Sequence, residues 1–244
     1  MKEKIRVAAV NYLNAKPLLW GLEHHPISGK IDWLTDYPAR VADDLREGRA
    51  DIALMPVAAM PTIPGSYVVG NYGIAAHDKV VSVALFSEVP LSEIKAVYLD
   101  YQSRTSVRLA QLLLEHYWKQ EVAFLPAPED YISRIGGTTA GVIIGDRALA
   151  RLEQFPYHYD LSKAWDAWQG LPFVFAAWIA REPLPADFVR EFDEAQQQGL
   201  QNLETVIAGN PFEAYDLHTY YTENIVYDIG EAERKGLEKF LSYL

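Results

Sequence analysis

The chain has 244 residues, half of them hydrophobic and 23% charged, which is enough for one large or two small domains and excludes a wholly disordered protein. Its formal charge of −11 argues against nucleic acid or an acidic membrane surface as the main partner, because either needs a basic footprint; a small anion stays open, since the N–H groups of a helix start act locally. With no cysteine, thiol nucleophiles, disulfides and thiolate metal sites are excluded.

Residues 1–10 read MKEKIRVAAV and run into polar Asn11 and Asn14, without the apolar stretch and small-residue cleavage signal of a secretory leader. No later run reaches the roughly 18 apolar residues of a membrane span, so the sequence predicts a cytoplasmic protein with no membrane partner. Residues 5–10 form a strand-type run, and residues 17–22 have helical periodicity behind Asn14. A second strand at 31–34 is followed by a helix that opens at Pro38, turns Val41, Ala42 and Leu45 inward and stops at Gly48. Residues 51–56 make a third strand, with Asp51 read as a turn or cap residue.

Two further strand-like runs, 68–73 and 80–86, flank the polar turn His77-Asp78-Lys79. After Pro90 the cycle restarts: a strand at 94–99, a helix at 105–117, a strand at 122–125, and the buried strand 141–144 after Gly136 and Gly137. Asp146 is expected to cap a short helix after that strand. Residues 173–179 form a strand or extended linker, and the remainder is mainly helical at 188–198, 200–208 and 231–241, with a tyrosine-rich stretch at 217–227 that follows neither period. Two α/β blocks and a helical tail predict an α/β, two-lobed fold with a central ligand cleft. The first lobe is discontinuous, residues 1–89 and 180–244, and the second spans 90–179. One continuous Rossmann-like domain is the alternative.

The densest polar feature is DYQSRTSV at 100–107. Ser103, Thr105 and Ser106 surround Arg104 where a strand gives way to a helix, a pattern that suits a carboxylate or phosphate; a plain N-cap with solvated neighbours uses the same residues. Asn11 and Asn14 offer a second such junction, or a turn. Ser82 either bonds within its sheet or faces a pocket, and no G-x-S-x-G elbow surrounds it. The six histidines are dispersed, without H-E-x-x-H, and neither G-x-G-x-x-G nor a phosphate-binding loop occurs. No cofactor or metal is therefore expected. The aromatic residues between Tyr157 and Phe175 are read mainly as interlobe packing.

In order along the chain, NYLNAKPL (11–18), DIALMPV (51–57), KVVSVAL (79–85), DYQSRTSVRL (100–109), IGDRAL (144–149), GLPFVFAAW (170–178) and YTENIVY (221–227) resemble the chorismate dehydratase family of the futalosine route to menaquinone. The resemblance implies the type II periplasmic-binding-protein-like fold and a hydro-lyase acting on a small dicarboxylate, chorismate, to give 3-[(1-carboxyvinyl)oxy]benzoate. It implies catalytic roles for Asn14 and Ser82, substrate binding by Asn11, Ser103, Arg104, Thr105 and Ser106, and the substrate's own enolpyruvyl carboxylate as base. Arg104 either pairs with the substrate or ties down its loop. The alternative is a non-catalytic receptor for an aromatic or cyclic carboxylate.

Overall fold

The computed structural model describes residues 4–35 and 38–244. Among the described residues, eleven strands divide between a six-stranded and a five-stranded sheet. The first sheet is built from β1 (Ile5–Ala9), β2 (Ile31–Thr35), β3 (Ile52–Pro56), β4 (Tyr67–Ala76), β10 (Phe173–Ala180) and β11 (Val226–Asp228), in the order β11-β4-β10-β3-β1-β2. β1 pairs in parallel with β2 and β3, whereas β10 runs antiparallel between β3 and β4. The second sheet takes β5 (Val83–Ser87), β6 (Ala96–Leu99), β7 (Ala123–Pro126), β8 (Thr139–Ile144) and β9 (Tyr157–Asp160), in the order β7-β6-β8-β5-β9. Helices α1 (Lys16–His24), α2 (Pro38–Arg46), α3 (Arg104–Leu112), α4 (Asp146–Leu149) and α5 (Leu161–Gln169) fill the connections. The tail adds α6 (Ala186–Gln201), α7 (Leu203–Ala208), the single turn α8 (Leu217–Thr219) and α9 (Glu231–Leu241).

The architecture is the two-lobed α/β fold expected from the sequence, and sheet membership corrects both lobe boundaries. β5, placed at the end of the first lobe by the sequence reading, pairs with β8 and β9 in the second sheet. β10, placed at the end of the second, is inserted between β3 and β4 of the first. The chain thus crosses between Ala76 and Val83 and returns after Asp160. A continuous apolar run such as FVFAAWIA fits the middle of either sheet, so composition cannot choose its partners. The Asp160 carboxylate joins the two crossings: one oxygen caps α5 at the amides of Ser162 and Lys163, and the other accepts from Val81 N at 2.7 Å.

Three local assignments also change. The run at 80–86 becomes a strand only from Val83, helix 105–117 is α3 followed by a π-helical turn at Leu113–Tyr117, and Tyr157–Asp160 is a strand.

Helix α1 carries the first site loop and is seated by an unusually close crossing with α6. A Cβ on Gly199 would lie 1.9 Å from the Pro17 carbonyl oxygen, and one on Gly21 2.0 Å from that of Ala195. Backbone meets backbone, so no side chain can yield. Gly199→Ala is expected to destabilise the protein by about 1–3 kcal/mol through this overpacking, read as a lower urea midpoint; an unchanged midpoint would contradict the crossing.

Candidate active site

The carboxyl ends of β1, β3, β6 and β8 deliver their following turns to one cleft between the sheets, the usual place for a ligand in open α/β architecture. Asn14, Ser82, Ser103, Thr105 and Ser106 all line it, with Val10, Leu54, Ile74, Ile144 and Phe175 as its apolar wall. Its enclosed volume is about 60 Å³, room for a couple of waters. Four hydrogen bonds join its sides: Tyr12 Oη to Gln102 Oε1 at 2.7 Å, Leu13 N to Asp146 Oδ1 at 3.2 Å, Ala58 N to Thr105 Oγ1 at 3.1 Å and Tyr220 Oη to Ser82 Oγ at 2.8 Å.

Asn14 lies in the 3₁₀ turn Leu13–Ala15 that links β1 to α1. Its backbone carbonyl is held by the buried Tyr227 hydroxyl at 2.9 Å, yet its side-chain oxygen is buried with no hydrogen-bond partner among the described residues. A buried amide oxygen left unpaired costs about 1–3 kcal/mol. Such an acceptor, oriented by its own backbone and facing a cleft, suits a ligand donor.

Ser82 sits just before β5, in a turn that the sequence did not suggest. Its N–H closes on the Val80 carbonyl at 2.7 Å and its carbonyl accepts from Gly145 N at 2.7 Å. Val81, at the centre of this γ-turn, has φ of 58°, a left-handed conformation that costs a β-branched residue roughly 1–3 kcal/mol. The Asp160 bond to Val81 N helps to hold it.

At the start of α3 the Ser103 hydroxyl is the N-cap, accepting from Ser106 N at 3.1 Å, and Thr105 Oγ1 is occupied by the amide of Ala58. The hydroxyl of Ser106 and the first-turn amides of Arg104 and Thr105 remain as donors without a hydrogen-bond acceptor among the described residues. Beneath the turn, the side chain of Asp100 has no exposure: Oδ1 accepts from Gln102 N, while Oδ2 accepts from Tyr131 Oη at 3.0 Å and from Arg147 at 2.6 Å.

Two expected binding residues fall outside the cleft lining. Asn11 is exposed at the end of β1. The exposed Arg104 side chain turns to the Asp43 carboxylate, 3.7 Å away; only its backbone amide belongs to the helix start. Position N1 of a helix presents its N–H to a ligand while its side chain leaves the axis, which residue types alone do not reveal. Asp146 is likewise not a cap. Gly145 precedes α4 with φ of 61°, and the Asp146 carboxylate crosses to Leu13 N. Asp51 does sit in the bend before β3, and its carboxylate pairs with Arg6 on the neighbouring strand. Among the described residues no group of three His, Asp or Glu side chains converges as a metal site, and no helix is long and apolar enough to cross a membrane.

Tyr12, Gln102, Asp146 and Tyr220 are the site residues that sequence reasoning missed, since their partners lie far along the chain. Burial pushes the Tyr12 phenol up to about 12, so it stays a neutral donor to Gln102. Burial also raises the Asp146 carboxyl above its ordinary value, against the opposing bond from Leu13 N. A raised carboxyl binds protons more readily in the folded state. Its destabilising contribution is therefore absent below the unfolded pKa near 3.9, develops as pH rises through the folded value and is complete above it. Asp146→Asn, which keeps an acceptor for Leu13 N, is expected to raise the melting temperature at pH 7 and to show no advantage near pH 3. Thermal melts across that range check the sign, and a gain that grows on acidification would refute it.

Over residues 5–244 the sequence matches the menaquinone-biosynthesis family. The chain is 30% identical over 203 residues to the chorismate dehydratase of Thermus thermophilus, covering 71% of this chain and 72% of that protein. It is 25% identical over 240 residues to the chorismate dehydratase of Campylobacter jejuni, covering 95% and 94% of the two chains. A Candida albicans gene product with the generic periplasmic binding protein fold superposes with a TM-score of 0.63 at 11% identity, over 98% of this chain and 89% of that one; this likeness shows fold alone. The site loops lie inside the matched span, and the chain belongs to the menaquinone-biosynthesis family.

Proposed function

We propose that this protein is a chorismate dehydratase acting in the futalosine route to menaquinone, with the cleft as its active site. The observation that carries the reading is the unpartnered Asn14 amide oxygen, set in the same cleft as the start of α3. Ionised chorismate has two carboxylates and one hydrogen-bond donor, its C4 hydroxyl. An amide acceptor together with unclaimed hydroxyl and backbone donors matches that inventory.

In the reaction, the C3–H bond supplies the electron pair of the new C3–C4 double bond as the C4–O bond breaks, and proton and hydroxide depart together as water. The ring becomes aromatic, which drives the reaction. Asn14 holds the departing oxygen, Ser82 donates a hydrogen bond to it, and a substrate carboxylate docks on the Ser106 hydroxyl and the amides of Arg104 and Thr105. Ser103 and Thr105 act through their loop contacts. The enolpyruvyl carboxylate takes the C3 proton and hands it to the departing hydroxide, which leaves as water, so the protein supplies geometry in place of a base. Substrate entry requires the sides of the cleft to separate, because about 60 Å³ is too small for a ring bearing two carboxylates.

Incubating the protein with chorismate, and following both substrate loss and a product lighter by one water, tests the reading. Binding without that mass change would overturn it in favour of a receptor. The same reading places the enzyme in the cytoplasm, which fractionation of expressing cells against a periplasmic marker checks.

A further inference from the structure

The stretch from the end of α8 through β11 supplies two buried phenols behind the two polar residues of the cleft. Tyr227 donates to the Asn14 backbone, and Tyr220, in the π-helical turn Tyr220–Asn224, donates to Ser82 Oγ at 2.8 Å. Both ends of the second bond have no solvent exposure, and the Tyr220 hydroxyl has no other hydrogen-bond partner among the described residues.

That isolation fixes the direction of the bond. If Ser82 were the donor, the phenol proton would be stranded in the interior, whereas Ser82, lining the cleft, has somewhere to send its own. A phenol is also the stronger acid and an alkyl hydroxyl the better acceptor. Since the Ser82 backbone is held at its N–H and its carbonyl, by Val80 and Gly145, the side chain retains only rotation about two bonds.

We infer that Tyr220 is a positioning residue: by occupying a lone pair of Ser82 Oγ it keeps the serine proton turned into the cleft, toward the oxygen that leaves the substrate. The inference deepens the proposed function and rests on it. Tyr220 touches no reacting atom and acts only through Ser82. The aromatic ring has a separate structural role, packing between Tyr215 and Tyr221 at centroid distances of 6.2 and 5.7 Å, which phenylalanine would preserve.

A double-mutant cycle separates the two roles. In Tyr220→Phe, kcat for chorismate falls about 5- to 10-fold, the worth of one neutral hydrogen bond, while KM stays within about 2-fold of the parent. In the Ser82→Ala background the same replacement changes kcat less than about 2-fold, because nothing remains to be aimed. Equal losses in both backgrounds, or parental kcat in Tyr220→Phe, would overturn the proposal. A second measurement does not need the phenylalanine variant to fold: in tyrosine-labelled parent protein, a slowly exchanging Tyr220 hydroxyl proton should appear in NMR spectra and shift upfield in Ser82→Ala. A hydroxyl proton that exchanges freely, or that ignores the serine, would also overturn it. Should the parent leave chorismate unchanged, the functional reading fails and the aiming role with it; an active parent with additive losses defeats Tyr220 alone.

Discussion

Asn14→Ala loses about 10²- to 10³-fold in chorismate turnover, the loss typical of one well-placed donor or acceptor acting on the reacting centre. The structural ground is that the Asn14 side-chain oxygen makes no bond to the described protein, so the replacement removes no fold contact beyond its own packing. Its backbone carbonyl keeps the Tyr227 hydrogen bond, and the turn into α1 should persist. Asn14→Asp discriminates further. The carboxylate keeps the size of the amide but adds negative charge beside a dianionic substrate, so binding weakens as well as turnover. Turnover and binding of chorismate, measured separately in variants with parental circular dichroism, decide the matter. Parental turnover in Asn14→Ala would reduce Asn14 to a turn residue.

Replacing Arg147 has the largest expected effect on stability. Its guanidinium meets Asp100 Oδ2 at 2.6 Å, and the side chain of the aspartate is fully buried. Arg147→Met leaves that carboxylate with hydrogen bonds from Tyr131 and Gln102 but no counter-charge. Breaking one side of a buried pair costs about 3–5 kcal/mol, and replacing both partners costs less. The urea midpoint should therefore fall sharply in Arg147→Met and recover in part in Asp100→Asn/Arg147→Met. A loss below about 1 kcal/mol, the scale of an exposed pair, would show that the pair carries little of the fold. The effect reaches the site, because the carboxylate that holds Arg147 also holds the amide of Gln102, directly before the Ser103 cap.

Where the sequence was legible, a local rule was at work. The third strand is buried along most of its length, so its composition announces it. The Ser103 cap follows from a serine placed between a strand and an apolar-periodic helix. Pro17 near the start of α1 and Pro38 at the start of α2 mark helix openings by the same kind of rule. Asn14 and the helix start at 103–106 stood out because strand-to-helix junctions concentrate polar residues at strand ends, and those ends meet at a cleft in this architecture.

Other assignments were settled only by folding. Whether β10 joins the first or second sheet depends on hydrogen bonds to β3 and β4, which its apolar composition does not encode. Ser82 reads as a strand residue, and only the γ-turn at Val81, held by Asp160 from the other crossing, sets it at the cleft. Arg104 has the charge of an anion ligand, but its side chain leaves for Asp43 and contributes only a backbone amide to the helix start. The partners that complete the site lie 47 residues apart for Asp100 and Arg147, and 138 for Ser82 and Tyr220. Periodicity and capping act over one or two turns of chain. The sequence by itself therefore determined the elements, the acidic and thiol-free chemistry and the junctions able to hold an anion; the tertiary structure decided which buried polar groups meet, because a hydrogen bond between distant segments exists only once both have been packed out of water.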